Sequence, residues 1–111
     1  MSSTIRHFWD GHAQVGYQVT IPIPVSDHDA NGDPVDRDLS GDMLAVVVTD
    51  SADADVTATV AYDATIGKTH LANVTITSAN ADEAGRHTID LYIGANPEPV
   101  TPGWAFTMEP A

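Results

Sequence analysis

VGYQVTIPIPV, residues Val15 to Val25, decides the fold. Val15, Tyr17, Val19, Ile21, Ile23 and Val25 take every second place, with Gly16, Gln18, Thr20, Pro22 and Pro24 between them. A period of two places one set of side chains on one face of an extended chain, the pattern of a half-buried strand. Pro22 and Pro24 have no N–H to give to a ladder, so this end of the strand is expected at a sheet edge. Proline there also discourages unwanted strand addition.

Working outward, the same kind of run recurs. Met43 to Thr49, MLAVVVT, is almost continuously apolar and suits a central strand covered on both faces. Asp55 to Tyr62, DVTATVAY, alternates through Val56, Ala58, Val60 and Tyr62. Leu71 to Thr77, LANVTIT, alternates through Leu71, Val74 and Ile76 with a one-residue irregularity. Arg86 to Ile93 places Ile89, Leu91 and Ile93 on one side, with His87 and Asp90 off that register. A last strand is expected over Trp104 to Met108. The connectors, such as DSADAD, DATIGK and GANPEPVTPG, are made of turn-forming residues. Only SANADEAG could hold a helical turn. Short strands at this spacing with no amphipathic helix predict an all-β antiparallel sandwich or small barrel of six to eight strands.

A length of 111 residues predicts one domain, and 42% hydrophobic residues can supply its core. With no cysteine, disulfides, thiolate metal sites and a cysteine nucleophile are excluded. Sixteen acidic residues against four basic ones give a net charge of -12. Arg6, Arg37, Lys68 and Arg86 are scattered, so no basic patch exists to neutralise phosphates, and nucleic acid is not expected as a partner. An anionic membrane would repel the chain, and no apolar run reaches the roughly 20 residues of a membrane helix. The opening MSSTIRHFWDGHAQ lacks the apolar core of a secretory signal, which predicts a protein made in the cytosol.

One stretch has a metal reading. In DHDANGDPVDRD, Asp27 to Asp38, the residues Asp27, Asp29, Asn31, Gly32 and Asp38 fall on positions 1, 3, 5, 6 and 12 of a calcium loop, with Asp33 a further carboxylate. Position 12 is the shorter Asp38 rather than Glu, position 8 is Pro34, and the flanks read as strand and loop. An EF-hand proper is therefore not expected. The favoured reading is a solvated Asp/Asn-Gly turn with no cofactor, and calcium on Asp27, Asp29, Asn31, Asp33 and Asp38 is the alternative. His7, His12, His28, His70 and His87 show no ligand spacing and read as surface imidazoles. Trp9 and Trp104 read as core caps or interface residues, with an exposed carbohydrate platform as the alternative. Catalytic residues are not identified: no nucleophile motif or acid/base constellation appears, and an enzyme is not expected.

The motifs also carry a resemblance. The loop D-x-x-G-x-P-V-D-x-D-L-S-G (Asp29, Gly32, Pro34, Val35, Asp36, Asp38, Leu39, Ser40, Gly41) precedes the apolar MLAVVV. Val74 to Asn80 and then A-G-R-H-T-I-D-L-Y, Ala84 to Tyr92, follow. This pattern resembles the immunoglobulin-like N-terminal domain of tailed-phage baseplate upper proteins and related small phage virion proteins, over most of the chain after Val15. Arg37 and Asp38 are a small insertion relative to that family's loop, and His87 stands where it favours an aromatic residue. The resemblance implies an immunoglobulin-like β-sandwich over residues 15–109. It implies that Leu39 tucks into the core and that Gly41 lets the next strand begin.

Its functional implication is a non-enzymatic bacteriophage virion protein, a tail or baseplate adaptor or a capsid decoration subunit. Such a protein would act by assembly with other virion subunits and be homo-oligomeric in the particle. Residues 1–14 would be an N-terminal arm ordering on a partner or a first strand on the domain itself. The rival is a small calcium-stabilised or carbohydrate-binding sandwich module.

Overall fold

The computed structural model describes residues 11–111, with the side chains of 101–103 excepted. The strands are β1 (Val19–Pro24), β2 (Ser26–His28), β3 (Pro34–Asp36), β4 (Leu44–Thr49), β5 (Asp55–Val56), β6 (Thr59–Tyr62), β7 (Leu71–Ile76), β8 (Gly85–Ile93) and β9 (Thr101–Met108). All pairing between them is antiparallel. One sheet has the order β1-β7-β6, a second β5-β4-β8-β9, and β2-β3 is a separate hairpin.

Pro22 and Pro24 dictate the place of β1. Neither can donate to a neighbour, and among the described residues β1 is the edge of its sheet, paired with β7 alone. Val19, Ile21 and Ile23 point inward and are buried, while Thr20, Pro22 and Pro24 are exposed. The strand starts later than the alternation suggests. Gly16 has φ +90°, and its N–H donates to Ala81 O at 2.8 Å, so Val15 and Tyr17 belong to a turn. A non-glycine residue disfavours that φ, which ends the extended run there.

Ile21, Ile23, Val74 and Ile76 of one sheet meet Val48, Ile89, Leu91, Phe106 and Met108 of the other in the core. Strands β4, β8 and β9 lie side by side in one layer, and β1, β7 and β6 in the other. This is the immunoglobulin-like arrangement, an all-β antiparallel sandwich with the β1-β7-β6 layer facing the β5-β4-β8-β9 layer. Among the described residues seven strands build the two facing sheets, within the expected six to eight, and the β2-β3 hairpin is an addition in the connection from β1 to β4.

Four local expectations are corrected. The run 55–62 is not one strand: β5 pairs with β4 and β6 pairs with β7, so the chain changes sheets between Val56 and Thr59. In β7 the buried residues are Ala72, Val74 and Ile76, a regular alternation that puts Leu71 on the other face. Strand β4 is interior in its sheet but covered on one face only, because two layers leave each sheet one side open, and Ala45 and Val47 face outward. His87 is in register with Ile89 and Leu91 and is buried, not on the surface. Its Nδ1 lies 3.0 Å from Gly85 O. A carbonyl only accepts, so this nitrogen carries the proton.

Two hairpins share one loop geometry. In 29–33, Asp29 N–H donates to Asp33 O, and Gly32 N–H to Asp29 O. In 50–54, Asp50 N–H donates to Ala54 O, and Asp53 N–H to Asp50 O. The fourth residue is left-handed in both, Gly32 at φ +82° and Asp53 at φ +64°. A Cβ on Gly32 would meet nothing within 4 Å, so its only cost is the dihedral angle. Gly32→Ala is expected to lose about 1 kcal/mol, and Asp53→Gly to gain about half of that, because relief of strain exceeds the added freedom of the unfolded chain. Thermal melts of the two variants check both signs. Equal shifts in one direction would sink the shared-loop argument.

Candidate functional site

The stretch Asp27 to Asp38 becomes a hairpin rather than a wrapped loop. Ser26, Asp27 and His28 pair with Asp36, Val35 and Pro34, and residues 29–33 turn the chain. Asp29 Oδ1 accepts from the N–H of Asn31 at 2.9 Å and of Asp33 at 3.0 Å, which organises the tip. This is the turn chemistry of a short carboxylate bonding to nearby backbone.

Two other residues of the metal reading, Asp27 and Asp38, have protein partners of their own. Asp27 Oδ1 accepts from Arg37 Nη1 at 3.2 Å. Asp38 Oδ1 accepts from Ser40 N–H at 3.0 Å, and this bond holds its carboxyl below the usual range. Among the described residues, no group of three or more His, Asp or Glu side chains is placed to hold a metal ion.

Instead the structure gathers a charged cluster that joins the hairpin to the turn before β4. Arg37 Nε donates to Asp42 Oδ2 at 2.9 Å, and Nη2 donates to Asp42 Oδ1 at 3.2 Å, a two-point contact. The guanidinium bonds hold Asp42 below the ordinary carboxylate value of 3.8, and the same bonds push Arg37 further up. His70 Nδ1 stands 3.8 Å from Asp36 Oδ2 at the cluster's margin. Asp63 repeats the turn device: the N–H of Thr65 donates to it and lowers its carboxyl.

The sign of the linkage follows from depressed carboxyls. Their contribution is complete above the unfolded value near 3.8 and disappears as pH falls through the lower folded value. Asp42→Asn is expected to lower the melting midpoint at pH 7. The gap to the parent chain should close once pH drops below the carboxylate range, and it should narrow in salt, because the pair is partly exposed. A gap that persisted at pH 2 would show that the amide damages the turn by shape rather than by charge.

The remaining candidates separate. Trp104 is buried on β9 and caps the core, so it offers no exposed sugar platform. Trp9 and His7 lie outside the described residues. His12 and His28 are exposed, His12 ahead of β1 and His28 at the end of β2. Leu39 is fully buried, in the place the resemblance implies. Residues 1–10 of the N-terminal segment also lie outside the description. From residue 13 on, the chain is tied to the sandwich: Ala13 is buried, Glu109 N–H donates to Ala13 O, and Val15 N–H donates to Glu109 O.

Exposed apolar side chains were not read from the sequence. Tyr17, Met43 and Ile66 are 64%, 79% and 98% exposed. A signal was present for Ile66. It stands alone among turn residues in DATIGK, where no alternation could bury it.

No family model matches the chain, and no curated protein does. A solved structure that is similar is the Lin-41 filamin domain, at 19% identity and a TM-score of 0.49, covering 90% of this chain and 82% of that one.

Proposed function

We propose that this chain is a non-enzymatic structural subunit that works by protein–protein assembly, and that its setting is a tailed-phage virion, as a tail or baseplate adaptor or a capsid decoration protein. The observation that carries assembly is the apolar surface. A chain of net charge -12 displays Met43, Ile66 and Tyr17 on the surface of a β-sandwich. Exposed apolar groups rimmed by polar residues mark interaction sites. The virion setting is supported by the loop and strand pattern from Asp29 to Tyr92. Its partners would be other virion subunits, with copies of the chain repeated through the particle.

Two measurements test this reading. Mass spectrometry of purified phage particles from the source culture should find the chain at many copies per particle. Its presence only in the soluble cell fraction would refute the virion setting. Melting curves with and without millimolar calcium should coincide. A midpoint that climbs with calcium as RT ln(1 + [L]/Kd), and stops climbing in Asp27→Ala, would replace assembly with the binding module.

A further inference from the structure

Seven large apolar side chains are exposed among the described residues, and their placement is uneven. Chain direction decides it. β1 runs toward Pro24, β6 toward Tyr62 and β8 toward Ile93, while β7 departs from Leu71 and β4 from Leu44. Connections 25–43, 63–70 and 94–100 therefore lie at one end of the sandwich. Backbone bonds stitch them together. Val25 N–H donates to His70 O at 3.0 Å, Leu39 N–H to Thr69 O at 2.9 Å, and Gly94 N–H to Met43 O at 2.8 Å. Val35, Met43, Ile66 and Val100 belong to these three connections, and Tyr62 closes β6 beside them. Tyr17 and Val47 are the two of the seven that lie elsewhere.

Ile66 is held there rather than left loose. Asp63 accepts from Thr65 N–H, and Lys68 N–H donates to Thr65 O at 2.9 Å, so the loop carrying it is internally bonded. A single exposed apolar residue is ordinary, but five gathered at one end are not. The same three connections hold eight carboxylates against Arg37 and Lys68, and Arg37 is already engaged by Asp27 and Asp42.

We infer that this end is the docking surface, and that its occupant is a different protein presenting an apolar patch bordered by lysine and arginine. A second copy of this chain would bring its own carboxylates against these, and like charges in an interface are strongly disfavoured. The inference rests on the assembly reading and adds the face and the chemistry of the partner.

The test is a titration followed by backbone amide NMR, with a synthetic amphipathic Leu/Lys helical peptide as the probe. A Leu/Glu peptide with the same apolar face and a Lys/Ser peptide of the same charge stand beside it. Ile66→Ser/Met43→Ser is the comparison protein, and the exposure of both side chains leaves its folding intact. The Leu/Lys peptide should move amides in 25–43, 63–70 and 94–100 and leave 50–54 and 77–84 in place. The double variant and the Leu/Glu peptide should each weaken binding by about tenfold or more, and the Lys/Ser peptide likewise, since charge and apolar contact are both required.

Shifts at both ends, no binding, or equal affinity in the double variant would overturn the inference. So would a dimer of the parent chain that the two substitutions dissolve, since the occupant would then be a second copy. Failure of the assembly reading is seen separately. If the peptide binds this end but the chain is missing from particles, the virion setting falls and the docking surface stands.

Discussion

Replacing Leu39 with alanine is expected to lower the stability of the whole sandwich by about 2–5 kcal/mol, the range for removing a fully buried leucine side chain. Leu39 lies in the connection between β3 and β4, where loops normally run over the surface. It is nevertheless fully buried and part of the core cluster. Its N–H donates to Thr69 O, and Asp42 N–H donates to Leu39 O, so the backbone on either side is fixed and cannot collapse into the space. The midpoint should fall by roughly 10 °C or more, given about 4 °C per kcal/mol for a domain near 100 residues. Amide exchange separates the two ways this could come out. A core residue raises exchange in β4, β7 and β8 together. Faster exchange confined to the β2-β3 hairpin, with the midpoint unmoved, would make Leu39 a local clasp.

What the sequence conveyed depended on how local the information was. The edge position of β1 was legible because two prolines state a missing donor outright. The parity of β7 was misread because the side chain pointing inward at its start is Ala72, which carries a weak apolar signal beside Leu71. The exchange of sheets between β5 and β6 left no trace, since DVTATVAY alternates without a break, and which strand each half pairs with is decided by partners elsewhere in the chain. His87 was read as a surface residue because an imidazole is polar, although its parity already matched Ile89 and Leu91. A short internal bond to Gly85 O is what lets it be buried, and that bond depends on the bend of the chain. For the candidate site, the Asp29 turn was readable from residue types. The cluster around Arg37 was not, because Asp27 and Asp42 are fifteen positions apart and converge only through the hairpin. The apolar end was illegible for a similar reason: its members come from three connections that meet only in space.

Phe106→Ala carries the other large expected loss, about 3–5 kcal/mol, because the ring is among the largest fully buried side chains and its removal leaves a cavity between the layers. Phe106 sits on β9 directly across from His87 on β8. The two ring centroids are 4.9 Å apart and the planes are tilted by 35°. The contact ties an outer strand of its sheet to the interior of the fold, so its loss should be felt beyond β9. Phe106→Leu keeps most of the apolar volume and should cost clearly less. The pair itself can be isolated with His87→Ala and the double variant, because contacting residues do not add: the double loss should fall short of the sum of the singles by about 0.5–1.5 kcal/mol. Full additivity would mean that each ring stabilises the core independently and that their stacking contributes nothing. A midpoint that barely moves in Phe106→Ala would place the real centre of the core nearer β1 and β7, on Ile21, Val74 and Ile76.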